Sequence, residues 1–209
     1  MPREHYCLTS SLKLILKDEP PDVREAAAEH VDYYIDKISQ IAPRARSRTV
    51  QRSVDDAVRE SRTSSKEAKD ISCTKGCAEC CKQIVAITGD EGRRLVQIDG
   101  ANGIFLDRAR LERQSHYVED TWRTQPVEDR ACAFLGSDNL CRVYSERPLS
   151  CRKYFVISPP SLCNIDVPGQ VAVWFSPDAE LLATAAFTQA GCNFMPTVLL
   201  AHLHNKETP

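Results

Sequence analysis

Cys73-Thr-Lys-Gly-Cys77-Ala-Glu-Cys80-Cys81 carries four thiols within nine residues, the densest concentration of soft metal ligands in the chain. If this stretch were helical, positions 73, 77, 80 and 81 would share one face. Gly76 argues for a turn inside it instead. Either geometry brings several thiolates together, and the adjacent Cys80 and Cys81 point in directions different enough to serve two centres. A second batch of cysteines, Cys132, Cys141, Cys151 and Cys163, follows further along. Zinc takes four thiolates tetrahedrally, and iron–sulfur clusters are likewise held by four cysteines. Eight clustered cysteines therefore match two four-ligand centres, whereas seven with one bystander would leave an open or mixed site. The expected metal ligands are Cys73, Cys77, Cys80, Cys81, Cys132, Cys141, Cys151 and Cys163. The expected cofactor is zinc or iron, the iron including a 4Fe-4S cluster.

The frame around these segments is ordinary. A chain of 209 residues with 42% hydrophobic content suits one sizeable domain with elaborations. The net charge of -2 supplies no positive field to draw in nucleic acid or anionic lipid, so neither is an expected partner. The start, Met1-Pro-Arg-Glu-His-Tyr-Cys-Leu-Thr-Ser, lacks a continuous apolar run, and no stretch approaches the roughly 20 apolar residues of a membrane span. A cytoplasmic location is expected. In such a reducing compartment clustered cysteines bind metal or react more often than they pair as disulfides. Neighbours such as Cys80 and Cys81 are also poorly placed to bond each other.

Periodicity gives a mainly α chain with short strands, in which a loop-rich, metal-stapled cysteine region is flanked by helices. We divide it into an N-terminal helical region (1–69), a cysteine-cluster metal-binding domain (70–165) and a C-terminal helical region (166–209) on the same core. Residues 6–17 are apolar without a clean period, open between strand and helix. Val23, Ala27, Val31, Tyr34, Ile35, Ile38 and Ile41 form one stripe of an amphipathic helix from Asp22 to Ala42, closed by Pro43. A second helix is expected from Ser47 to about Asp70. The arginines of this region, Arg44, Arg46, Arg48, Arg52, Arg59 and Arg62, are interrupted by Asp55, Asp56 and Glu60 and read as a solvated face with i,i+4 pairs. Gln83 to Ile87 suits a short buried strand. Thr88-Gly-Asp-Glu91 has the form of a capping box opening a helix to about Asp99. Gly100 and Asn102-Gly103 predict a turn. One helix is then expected from Ile104 to Arg123, with Leu111, Ser115, Val118 and Trp122 on one side. Gly136-Ser-Asp-Asn139 predicts a turn, and Val171 to Phe175 a short strand. Ser176-Pro-Asp caps a helix to about Ala190, stopped by Gly191. A last helix is expected from Phe194 to His204.

The segment Cys132-Ala-Phe-Leu135 and the longer Cys141-Arg-Val-Tyr-Ser-Glu-Arg-Pro-Leu-Ser-Cys151-Arg152 complete a pattern. Together with the knot ending in Cys80-Cys81 and the Thr88-x-x-Glu91 helix start, they make residues 70 to 165 resemble the YkgJ-type cysteine-cluster family, described as zinc- or iron-chelating proteins. The family spaces its first two cysteines by two residues with glycine after the second. Here three residues intervene and Gly76 precedes Cys77. Cys163 matches a looser downstream cysteine of the family.

Centres rich in thiolate carry negative charge and need cations nearby. Lys75, Lys82, Arg142, Arg147, Arg152 and Lys153 are close in sequence, and Arg147 or Arg152 could pair with Glu91 or donate to a thiolate. Cys7 and Cys192 lie apart from the clusters and read as buried apolar residues. His202 and His204, at i,i+2, do not share a helix face and read as surface or partner residues. Two functions follow. One is a metal-binding protein whose centre serves structure, ion handling or a protein partner. The other is an iron–sulfur-dependent enzyme. The resemblance extends to members fused to larger proteins such as flagellin lysine methylase, which implies an oxidoreductase or methyltransferase-like activity by analogy. Whether the chain is an enzyme is left open by the sequence.

Overall fold

The computed structural model describes residues 6–100, 104–117 and 119–207. It is mainly α with short strands, as the periodicities predict. The open segment near the N-terminus is a helix, α1 (Ser10–Leu16), because the Thr9 hydroxyl accepts from Leu12 N–H and caps it. Helix α2 (Pro21–Ser39) buries Val31 and Ile38, while Val23 stays exposed, so the buried stripe starts later than its periodicity implies. Pro43, read above as the end of that helix, opens α3 (Pro43–Ser64) instead. At the first helical position proline gives up a donor that would have no partner there anyway. Helix α3 ends at Ser64 rather than near Asp70, and a separate 3-10 turn covers Glu67–Asp70.

Helix α9 (Pro177–Ala190) is the centre of the first core. Its start is fixed by Ser176 accepting from Ala179 N–H and its end by Gly191 at φ +69, a left-handed conformation that suits glycine. Ala179, Ala183, Ala185 and Ala186 are buried, and such small side chains let α2 and α3 approach closely. Val31, Ile38, Val54, Leu182 and Phe187 fill the space between them. Inside this core Glu180 is 1% exposed. Its carboxylate receives Lys153 Nζ at 2.6 and 2.8 Å and the Thr9 hydroxyl at 2.6 Å. A buried charge needs such partners, since an unpaired one would cost several kcal/mol.

A second apolar cluster joins α4 (Gly89–Gln97), α5 (Arg108–Ser115) and α10 (Met195–Glu207) through Leu95, Leu111, Leu199 and Leu203. Strand β1 (Ala86–Thr88) leads into α4 and β4 (Cys192–Phe194) leads into α10. The two strands pair antiparallel, Ala86 opposite Phe194 and Thr88 opposite Cys192. Strands β2 (Phe155–Val156) and β3 (Val173–Trp174) form a separate antiparallel pair. The helix expected from Ile104 to Arg123 is broken. Asp107 caps α5 late, and α5 ends at Ser115, before α6 (Glu119–Trp122). The break follows from Gln114, whose amide donates to Asp129 O at 2.6 Å and Ala131 O at 2.9 Å, drawing the returning chain against α5. That returning chain holds α7 (Val127–Arg130), and α8 (Leu149–Arg152) follows further on. The expectations for Asn102-Gly103 and Val118 lie outside the described residues.

Cys7 and Cys192 are not apolar filler: they are bonded to each other across 185 residues, tying the N-terminal segment to β4. Several arginines of α3 are engaged within the chain, Arg46 with Asp90, Arg48 with Glu146 and Arg59 with Asp56. Among the described residues no helix is long and apolar enough to cross a membrane.

Two expected outcomes come from how α4 is held. A Cβ at Gly92 would lie 2.4 Å from Val198 Cγ1 and 2.9 Å from His202 Cδ2 on α10. Gly92→Ala should therefore destabilise the protein by about 1–3 kcal/mol, read as a lower urea midpoint. Glu146 accepts Arg94 Nε and Nη2, both at 3.1 Å, and Arg48 Nη2 at 2.8 Å. The Arg94 hydrogen bond foremost, then that of Arg48, holds its carboxyl at about 2. A folded value below the unfolded one of about 4.3 stabilises the fold above that pH, and the contribution fades as acid approaches the folded value. The stability gap between the parent and Glu146→Gln should thus narrow only below about pH 4.3. Urea titrations at stepped pH check this, and a pH-independent gap would contradict it.

Candidate metal centre

The first thiol segment is pinned before it begins. Ser72 N–H donates to Val156 O at 2.9 Å and its hydroxyl to Ser158 O at 2.5 Å, while Cys73 Sγ accepts from Val156 N–H at 3.4 Å. The chain then reverses, with Cys77 N–H on Thr74 O at 3.1 Å and Gly76 at φ +85. Of the two geometries open in the sequence, the turn is realised. A 3-10 turn, Glu79–Lys82, presents Cys80 and Cys81 in succession, and Gln83 N–H closes it on Cys80 O at 3.2 Å.

The second thiol segment is drawn onto the first by main-chain bonds. Cys132 N–H donates to Cys81 O at 2.8 Å, and the Gln83 amide donates to Cys163 O at 2.6 Å. Cys163 ends a 3-10 turn, Pro160–Cys163, that packs on the Glu79–Lys82 turn. Between them the chain makes a tight loop in which Leu135 bridges to Cys141 and Asn139 takes φ 58. The predicted Gly136-Ser-Asp-Asn139 turn is this loop. Cys151 sits on α8, where Glu91 at the start of α4 accepts Leu149 N–H at 2.6 Å. The same carboxylate accepts Thr88 N–H at 2.9 Å and completes the capping box.

All eight expected ligand cysteines are free thiols. Cys73 and Cys80 are exposed, Cys163 is buried and the other five are half-buried. Their mutual electrostatic influence divides them. Cys163 feels Cys80, Cys73 and Cys77, and Cys73 feels Cys80 and Cys77. Cys151 feels Cys132, Cys80 and Cys141, while Cys81 feels Cys80, Cys132 and Cys151. Cys80 stands between the two sets. The Cys81 thiol donates to Cys80, which lowers Cys80 to about 7 and raises Cys81. Burial pushes Cys132 up to about 12 and Cys163 to about 11. Protons held this firmly have to leave before sulfur ligates a metal. Among the described residues no three His, Cys, Asp or Glu side chains already meet at the spacing of a metal site. Gathering four thiols on one ion therefore takes side-chain rotation within a region that already holds them as neighbours. As a donor set, soft sulfur in this number fits zinc or iron–sulfur chemistry and not a hard cation.

The cations near the cysteines are mostly spoken for. Arg152 bonds Asp55 and the carbonyls of Arg147 and Ser145, Lys153 takes Glu180, and Lys82 takes Glu79. Neither arginine donates to Glu91, although the Arg152 charge acts on that carboxyl. Arg147, stacked over the Tyr144 ring at 4.3 Å, exerts its charge on Cys73, Cys80 and Cys141. Tyr154 was not legible as part of the site. Burial, then the charges of Cys163, Cys80 and Cys73, push its phenol up to about 12. Its place directly after Arg152-Lys153 is the only sequence signal that could have drawn notice.

Residues 72–164 match the CxxCxxCC family model, described as "putative zinc- or iron-chelating domain". No curated protein and no solved structure matches the chain. The matched span runs from just ahead of Cys73 to just past Cys163 and so includes every cysteine brought together here. Over residues 72–164, less than half of its length, the chain is similar to the CxxCxxCC family.

Proposed function

We propose that the eight cysteines form two four-thiolate centres, one from Cys73, Cys77, Cys80 and Cys163 and the other from Cys81, Cys132, Cys141 and Cys151. The observation that supports this division is the pattern of electrostatic neighbours, which falls into these two sets around Cys80. Cys80 acts on thiols of both sets, whereas Cys81 is coupled to Cys132 and Cys151. Four thiolates on a divalent ion leave a formal charge of about -2 per centre, and Arg147 supplies a compensating cation close to both.

The function this supports best is that of a cytoplasmic metal-binding protein, in which zinc or iron cross-links the loop-rich 70–165 domain to serve structure, ion handling or a protein partner. The helical regions 1–69 and 166–209 frame that domain. The eight clustered thiols are free for ligation, and the bonded pair Cys7 and Cys192 lies apart from them. Bound zinc supplies a closed tetrahedral cross-link, and a 4Fe-4S cluster supplies one-electron chemistry. The second reading, an iron–sulfur-dependent enzyme of oxidoreductase or methyltransferase type, draws on the exposure of Cys73 and Cys80, which leaves these two thiols reachable from solvent.

Anaerobic isolation separates the readings. A colourless protein with about two zinc per chain fits the first, taking four thiolates per ion. A brown protein with stoichiometric iron and acid-labile sulfide fits the second. Under either, Cys163→Ser and Cys151→Ser should each remove one centre, and Cys80→Ser should lower metal content and expose residues 73 to 163 to protease. Unchanged metal stoichiometry in the Cys151→Ser protein would overturn the ligand assignment.

A further inference from the structure

The face of α3 that turns away from the thiols borders a cavity of about 370 Å³ between α2, α3 and α9. That size lies in the range of small-molecule sites, about 300–1,000 Å³. Gln51 and Asp55 lie on the opposite side of α3, where they reach Arg147 O and Arg152, so the cavity and the thiol region are separated by the thickness of a helix.

The floor of the cavity is apolar, with Ile38, Val50 and Leu182 buried beneath it. Tyr33 and Tyr34 form one wall, edge to face with ring centroids 5.5 Å apart. The Lys37 ammonium already rests 5.3 Å from the Tyr33 centroid, so this wall demonstrably accepts a cation. On the rim stand Asp56 and Glu60 from α3 and Asp178 from α9. Arg59 neutralises Asp56, whereas among the described residues Glu60 and Asp178 make no ion pair. Two unpaired carboxylates against one lysine leave the rim with an excess of negative charge. Burial, then the Asp178 charge, raises the Tyr34 phenol, which puts the aromatic wall within reach of that carboxylate.

We propose that this groove binds an alkylammonium group, its charged head between Glu60 and Asp178 and its methylene stem on Ile38, Val50 and Leu182. An anion is disfavoured by the rim, and a neutral apolar ligand would leave both carboxylates unused. The chemistry is shared by a free aliphatic amine and by the lysine side chain of a polypeptide. It does not depend on which metal the thiols hold.

The test is calorimetric titration of the full-length, metal-loaded protein with n-butylammonium chloride at low salt. Saturable binding is expected with Kd on the order of 1 mM or tighter. The Glu60→Gln/Asp178→Asn protein should bind at least about tenfold more weakly, and n-butanol, with the same stem and no charge, should not bind measurably. Both carboxylates are exposed, so the doubly substituted protein should keep its circular dichroism and metal content. In a parallel titration, tighter binding of Nα-acetyl-lysine N-methylamide than of butylammonium assigns the source to a polypeptide, and weaker binding to a free amine. Absence of saturable butylammonium binding, equal binding of n-butanol, or undiminished affinity in the doubly substituted protein would each overturn the proposal. None of these results bears on the thiol centres, whose metal content is measured separately.

Discussion

The Glu91 carboxylate joins the two halves of the thiol region. It is 1% exposed, and its oxygens accept from Thr88 N–H, the Thr88 hydroxyl and Leu149 N–H. Two of these bonds close the start of α4, and the third reaches across to the start of α8. Burial raises the carboxyl's proton affinity and the bonds oppose it, so the group is under load and its partners have little freedom to move away. The consequence is positional. Strand β1 and α4 follow directly from Cys81, and α8 carries Cys151, so one side chain sets the distance between thiols that are seventy positions apart in the chain.

A second constraint complements it from the helical side. Helix α8 is only four residues long and cannot hold its own orientation. It is gripped through its neighbours: Arg152 reaches Asp55 on α3, and Lys153 reaches Glu180 within α9. These pairs contribute little net stability, since burying ions costs about as much as their attraction returns. Their effect is to specify one arrangement, because a shifted α8 would strand Glu180 without its cation. The helical core and the loop-rich thiol region are thereby fixed relative to each other by charged pairs, while apolar packing stabilises each of them.

The sequence was legible where local chemistry decides the outcome. The capping box at Thr88, the Ser176-Pro177 helix start, the Gly191 stop and the Asn139 turn all rest on a few adjacent residues, and all are present. It was less legible where a distant partner decides. The periodic run after Ile104 breaks because Gln114 must satisfy carbonyls of a segment that returns later. Pro43 could equally end one helix or begin the next, and only the packing of α3 on α9 selects the second. Arg152 could be read toward Glu91 from proximity in the motif, but Asp55 on a helix far upstream claims it. The bond between Cys7 and Cys192 leaves no local trace at either residue. The density of cysteines, by contrast, made the thiol region evident.

In the proposed division, the adjacent Cys80 and Cys81 belong to different centres. In a 3-10 turn successive side chains project about 120° apart, so neighbours cannot both aim at the same point. Were the Cys73–Cys81 stretch a continuous α-helix, all four thiols would crowd one face, and their thiolates would repel one another without any partner to relieve them. The turn at Gly76 removes that alternative by reversing the chain before Cys77. A glycine at φ +85 therefore shapes the site as the sulfurs do, because it reverses the chain just after Cys73 meets β2.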